Sequence, residues 1–318
     1  MFLGLCPQAL YHLPFAEALA TARRLGFEAI ELPVDARSPW IDLDAALEGG
    51  HDEIARAVAA AGLRISALSN HQEGQLILGP HGADTDTIFR GTPAEKVAHA
   101  LSRMRKTAAL ARRLGVDVVV GFTGCEDYSR WFPWPDAGGY ERMAHDFVAR
   151  MRPLLDDFGR LGVRFAHECH PRQLAYNLET AEWAVSLLDG HEAFGFNFDP
   201  ANLLLAGMDP VVFIAALGDR IHHVHAKDGE IVAHNVARSG LLAHGRWDRR
   251  DRGFRFRVPG WGSIDWKRVL TELKLAGYAG AISVEHEDPT MGRVEGLERA
   301  RATLAPLLLR ERLEPRWW

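Results

Sequence analysis

The chain has 318 residues, 47% of them hydrophobic and 25% charged, with a net charge of −5 at neutral pH. That composition is ordinary for a soluble globular protein with a large core, and the acidic balance speaks against a nucleic-acid binder, which carries a basic surplus. Cys6, Cys125 and Cys169 stand far apart without C-x-x-C spacing, a poor disulfide framework that suits a reducing compartment. The chain opens on a strand-like M-F-L-G-L with no basic leader, and no apolar stretch is long enough to span a bilayer. A cytoplasmic protein without a membrane segment is therefore expected.

Taken in order, the chain repeats one unit: an amphipathic helical stretch, a small or apolar residue, Gly, then an apolar run. Instances are Leu25-Gly26-Phe27, Ala61-Gly62-Leu63, Leu114-Gly115-Val116, Leu161-Gly162-Val163 and Ala276-Gly277-Tyr278, with Leu217-Gly218-Asp219 a looser copy. Gly just past a helix supplies the left-handed residue from which the chain turns into the next strand. Strands are expected near 2–6, 28–32, 64–69, 117–122, 163–168, 194–199, 221–226 and 281–285. Helices are expected near 14–25, 51–61, 93–114, 139–160, 178–189, 209–217, 264–276 and 294–309. Eight βα units in one chain spell an α/β fold, a (β/α)8 TIM barrel, over residues 1–318 as a single domain. An open doubly wound sheet fits less well, since no G-x-G-x-x-G follows the first strand. Three connections after strands are long: 70–92, 123–139 and 227–263, the last expected to pack as a lid.

Four strand-like runs end in a carboxylate or an imidazole: R-F-A-H-E at Glu168, F-G-F-N-F-D at Asp199, I-H-H-V-H at His225 and A-I-S-V-E at Glu285. One such end reads equally well as a surface ion pair; four at the same end of successive strands point to a shared site. Three oxygens and one nitrogen suit one divalent ion, Mn²⁺ first, with Mg²⁺, Co²⁺ or Zn²⁺ as alternatives. Glu168 and Glu285 would then serve as base and acid at the carbon alpha to a carbonyl, through a metal-stabilised enediolate. His170, two residues beyond Glu168 and on the same face, is a further catalytic candidate. His71, Glu31, Asn202, Lys227 and Trp131 are the candidate substrate ligands; Trp131 belongs to an aromatic loop that could stack on a sugar face. His222 and His167 have the opposite strand polarity and read as structural. Candidate phosphate contacts are the backbone amides of Gly121–Gly124, Arg252 and Arg255. No P-loop, nucleophile elbow, H-E-x-x-H or deaminase signature occurs.

S-N-H-x-x-G-Q from Ser69, E-C-H-P from Glu168, F-G-F-N-F-D-P from Phe194, H-V-H-A-K-D from His223, P-G-W-G-S-I-D-W from Pro259 and S-V-E-H-E-D from Ser283 together resemble the xylose-isomerase-like TIM barrels, often labelled sugar phosphate isomerases/epimerases. The resemblance covers most of the chain. It implies that Glu168, Asp199, His225 and Glu285 hold the metal, and that the two Glu are the acid/base pair of an isomerase or epimerase acting on a small sugar or sugar derivative. One departure stands out. Where relatives typically read D-P-S-H, this chain reads Asp199-Pro200-Ala201-Asn202, and Asn cannot act as a base. A lyase, either a keto-sugar dehydratase or a 3-oxo-C-glycoside deglycosidase with His170 as base, is thus the alternative; a non-catalytic sugar-binding barrel ranks below both. The multi-metal DNA-repair nuclease of the same superfamily is not expected. The tail L-E-P-R-W-W is compatible with a subunit interface, so a homo-oligomer stays open.

Overall fold

The structure is a computed structural model that describes residues 1–128 and 138–313. Eight parallel strands close into a barrel. They are β1 (Phe2–Leu5), β2 (Ala29–Pro33), β3 (Arg64–Asn70), β4 (Val118–Gly121), β5 (Arg164–Glu168), β6 (Phe194–Phe198), β7 (Ile221–Ala226) and β10 (Ala281–Val284). Each strand neighbours its successor in this sequence, and β10 pairs with β1 in register Phe2↔Ala281 to Leu5↔Val284. Closure brings β1 so near β10 that a Cβ on Gly4 would lie 2.5 Å from the Ser283 hydroxyl oxygen.

The period-2 alternation of the strands divides two environments. Outward residues such as Phe194, Phe196, Phe198, Val224, Ile282 and Val284 join the large apolar core beneath the surrounding helices. Inward positions are small or polar. Ala67, Val118, Val120 and Ala166 form a separate small cluster, and Glu31, Asn197, His223, His225 and Ser283 are buried. The helices lie where the repeat places them, for example Pro93–Arg113, Gly139–Arg160 and Leu178–Leu187. Thr92 and Glu95 cap the first of these reciprocally, and Asn177 and Thr180 the last. The five close copies of the repeat's glycine all take positive φ, 68° at Gly162. Gly218 does not: with φ −60° it stays right-handed and leads into a 3-10 turn. No helix among the described residues is long and apolar enough to cross a membrane.

The long segment after β7 is folded. β8 (Asp228–Ile231) and β9 (Phe254–Arg257) form an antiparallel hairpin around the helix Ala233–Ser239. Phe254 and Phe256 pack on Ala201 and Leu205 of a short helix, Pro200–Leu205. The buried Asp228 carboxylate accepts hydrogen bonds from the amides of Gly229, Gly260 and Ile264 and from the Trp266 indole. This module is seated on the rim beside the mouth, and of it only Lys227 lines the central cavity.

Candidate metal centre and active site

Each of the four strand-end residues reaches the same point by inward parity. Glu168, Asp199, His225 and Glu285 each offer one ligand atom, and these atoms all lie within 4.8 Å of one another. All four side chains are buried. His225 Nε2 lies 2.8 Å from Glu31 Oε2 across the barrel, which fixes the Nε2–H tautomer when the ring is neutral. The Nδ1 lone pair then faces Glu168 Oε2 at 3.1 Å and Glu285 Oε2 at 3.3 Å. A bare imidazole nitrogen aimed at two carboxylates is repulsive unless a proton or a cation lies between them. Nδ1 has no hydrogen-bond partner. The donor set and this orphaned nitrogen fit a divalent cation.

In the metal-free chain, protons take up part of the cluster's excess negative charge. Burial alone would lower the His225 pKa, but the carboxylates of Glu31 and Glu285 outweigh it and hold the ring well above the ordinary histidine range. Burial would raise Glu168, yet His225 and His71 keep it well below the ordinary carboxylate range. Burial likewise opposes Lys227 and His225 at Glu285, which ends near 2. Asp199 goes the other way, up to about 7, because burial and the charges of Glu168 and Glu285 exceed the help of Lys227. The cluster holds more negative charge than its one lysine balances.

Further residues fix the carboxylates. Asn197 and Asn202 donate to Glu168 at 2.8 Å each, Asn202 also donates to Asp199 Oδ2 at 2.8 Å, and His71 Nε2 lies 3.3 Å from Glu168 Oε2. Asp199 caps the helix Pro200–Leu205 through its Oδ1, so Asp-Pro starts a helix. Gln8 donates to Glu285 Oε1 at 2.7 Å. Lys227 Nζ lies 2.8 Å from both Asp199 Oδ2 and Glu285 Oε2.

A cavity of about 340 Å³ opens over this cluster, bounded by Glu168, Glu285, His170, His71 and Lys227, and by Gln8, Tyr11, Asp35, Arg37, Phe122 and Glu287. Its size suits a small molecule. His170 Nδ1 lies 2.7 Å from the Pro171 carbonyl, so Nδ1 carries the proton and Nε2 stays free as an acceptor. Burial lowers the His170 pKa and favours that neutral form.

Several residues lie elsewhere than the sequence implies. Glu31 does not reach the cavity: it is fully buried under His225 and His223 and accepts from the Cys6 thiol. Asn202 is likewise beneath the carboxylates and is not part of the cavity wall. Glu31 lies within β2 and Asn202 in the helix after β6, and their side chains are consumed by neighbouring site residues before they could meet a substrate. The amides of Thr123 and Gly124 are taken by Gln173 Oε1. Arg252 stacks on Trp247 and bonds carbonyls within its own loop, and Arg255 pairs with Glu230, so neither is a phosphate contact at this cavity. Trp131 lies outside the described residues. His167 bonds the Ala175 carbonyl and His222 meets Arg164, outside the site. Gln8 was missed although Cys6-Pro7-Gln8 directly follows β1; the strand-end rule applied there would have found it.

Residues 19–307 match the family model described as xylose isomerase-like TIM barrel, and the chain belongs to that family. The uncharacterized protein YfiH of Bacillus subtilis (strain 168) is 28% identical over 93% of this chain and 96% of its own length. A 3-dehydroshikimate dehydratase of Pseudomonas putida is 26% identical over 62% of this chain, which spans only 27% of that protein. Among solved structures, an IOLI protein with a bound zinc atom superposes with a TM-score of 0.69 at 19% identity, covering 97% of this chain and 98% of that one.

Proposed function

We propose that this chain is a divalent-metal-dependent enzyme that moves a proton at the carbon alpha to the carbonyl of a keto sugar or related polyhydroxylated ketone. The observation that carries this reading is the cluster of four ligand atoms, two of them on carboxylates that also line one small cavity. Glu168, Asp199, His225 and Glu285 would hold the cation, which when bound supplies electrophilic help to the carbonyl and balances the developing oxyanion. Glu168 ends β5 and Glu285 directly follows β10, with β6 and β7 between these strands around the ring. One removes the alpha proton and the other returns a proton to the opposite face, which gives isomerase or epimerase chemistry. Asn197, Asn202 and His71 orient the first carboxylate, and Gln8 orients the second. His71, Tyr11 and Arg37 are the groups placed to meet substrate hydroxyls.

The second reading is elimination. It is favoured by the free Nε2 of His170 at the cavity wall and by the dehydratase among the relatives. His170 would take the alpha proton at Nε2 and hand it to the β-hydroxyl, which leaves as water while the C–O bond breaks and a C=C bond forms.

Both readings are tested by incubating Mn²⁺-loaded protein with keto sugars and keto inositols in D₂O, with mass spectrometry of substrate and product. Deuterium in a recovered isomer supports proton return; loss of one water supports elimination. In the second case His170→Gln is expected to cut turnover roughly 100-fold. A protein that binds Mn²⁺ and ligand yet neither exchanges deuterium nor forms product would overturn the enzymatic reading.

A further inference from the structure

Lys227 was expected at the substrate. Its ammonium is instead enclosed by acid groups: Asp199 Oδ2 and Glu285 Oε2 at 2.8 Å each and Glu287 Oε2 at 3.3 Å. The residue is 3% exposed. On its remaining side Nζ stands 4.8 Å from the centre of the Phe256 ring, which belongs to β9 of the rim hairpin. The next residue, Asp228, ties that hairpin down with four hydrogen bonds. Three donor positions of one ammonium thus meet three carboxylates, and an aromatic face closes the rest. Little of the group is left to take a substrate oxygen.

We infer that Lys227 is a positioning residue, a built-in counter-cation that keeps the carboxylates of Asp199 and Glu285 assembled, and that the hairpin holds it there. The inference rests on the metal-centre reading above for its consequence but not for its geometry. Buried carboxylates this close repel strongly in a low-dielectric interior. A fixed positive charge offsets that repulsion, so the site is preformed by the protein itself. The same charge must weaken the pull of the cluster on a divalent ion, because like charges a few ångströms apart oppose each other. Lys227 therefore trades metal affinity for stability of the metal-free fold.

The test uses the full chain. In the presence of chelator, Lys227→Met should lower Tm by roughly 5–10 °C, the loss expected when a buried charge cluster is left unbalanced in a domain of this size. In Lys227→Met/Asp199→Asn the charges balance again, and Tm should recover by at least half of that loss. Without chelator, Lys227→Met should bind Mn²⁺ by calorimetry at least about tenfold more tightly than the wild type. Failure of Asp199→Asn to rescue Tm would assign the loss to packing and overturn the inference. So would a Lys227→Met protein with unchanged Tm and unchanged or weaker Mn²⁺ binding, which would return Lys227 to the substrate. Should Lys227→Met fail to fold alone, recovery of a folded chain in the double variant supports the proposal and continued failure overturns it. If no variant, nor the wild type, binds Mn²⁺, the metal reading fails while the chelator arms still decide the role of Lys227.

Discussion

The two halves of the barrel divide the labour. From β5 onward every barrel strand delivers one member of the four-residue ligand group: Glu168, Asp199, His225 and Glu285. From β1 to β4 no residue joins that group of four; Gln8, Glu31 and His71 contact its members instead. Gln8 reaches Glu285 on the neighbouring strand, His71 reaches Glu168 two strands away, and Glu31 reaches His225 across the barrel. One half presents the charges and the other fixes their orientation and tautomer. A ligand set is only as good as the groups that aim it.

That division can be broken from either side. The largest effect is expected in the ligand half. Glu168→Gln removes both a ligand charge and a proton-transferring group, so Mn²⁺-dependent deuterium exchange should fall by a factor on the order of 1,000 or more. Retention of exchange within tenfold of the wild type would mean that another group is the base, and His170 would be next in line. A smaller effect is expected across the barrel. Glu31→Gln leaves volume unchanged but removes the charge that holds Nε2–H of His225. Mn²⁺ affinity, measured by calorimetry, should drop about 10- to 100-fold. Glu73→Gln is the matched control. Glu73 is also buried in the first half, but it faces Asn70 and Arg103 outside the barrel. It should cost stability and leave Mn²⁺ affinity unchanged. Equal losses in both variants would erase the distinction between aiming and general support.

The same division explains what could be read from the sequence. The eight strands and the helices between them follow from local signals, namely the period-2 runs and the glycine at each helix end, so the barrel and its four strand-end ligand candidates were visible. The supports were not, because they act over long separations. Glu31 and His225 are 194 residues apart, and Gln8 and Glu285 are 277 apart. No local pattern shows that two such side chains share one point. The hairpin β8–β9 was hidden for a related reason: F-R-F-R at 254–257 alternates like a strand, but its partner Asp228–Ile231 lies across a long insertion. The helix at Pro200 was a missed local signal, since Asp followed by Pro is a helix N-cap as well as a turn.

The smallest expected effect bears on the residue that the strand-end rule should have found. Gln8 spends its amide N–H on Glu285 Oε1, while Glu285 Oε2 is held independently by Lys227. Loss of the first contact therefore leaves the carboxylate tethered at one oxygen, charged, and free to turn. Gln8→Leu should lower turnover three- to tenfold, a modest loss for one charge-assisted hydrogen bond at a partly solvated site. Mn²⁺ affinity should change less than twofold, since the ligand charges are intact. If Mn²⁺ affinity falls as far as in Glu31→Gln, then aiming Glu285 matters to the metal as much as aiming His225 does. If turnover is untouched, Gln8 belongs to the wall of the cavity and not to the machinery that orients its carboxylates.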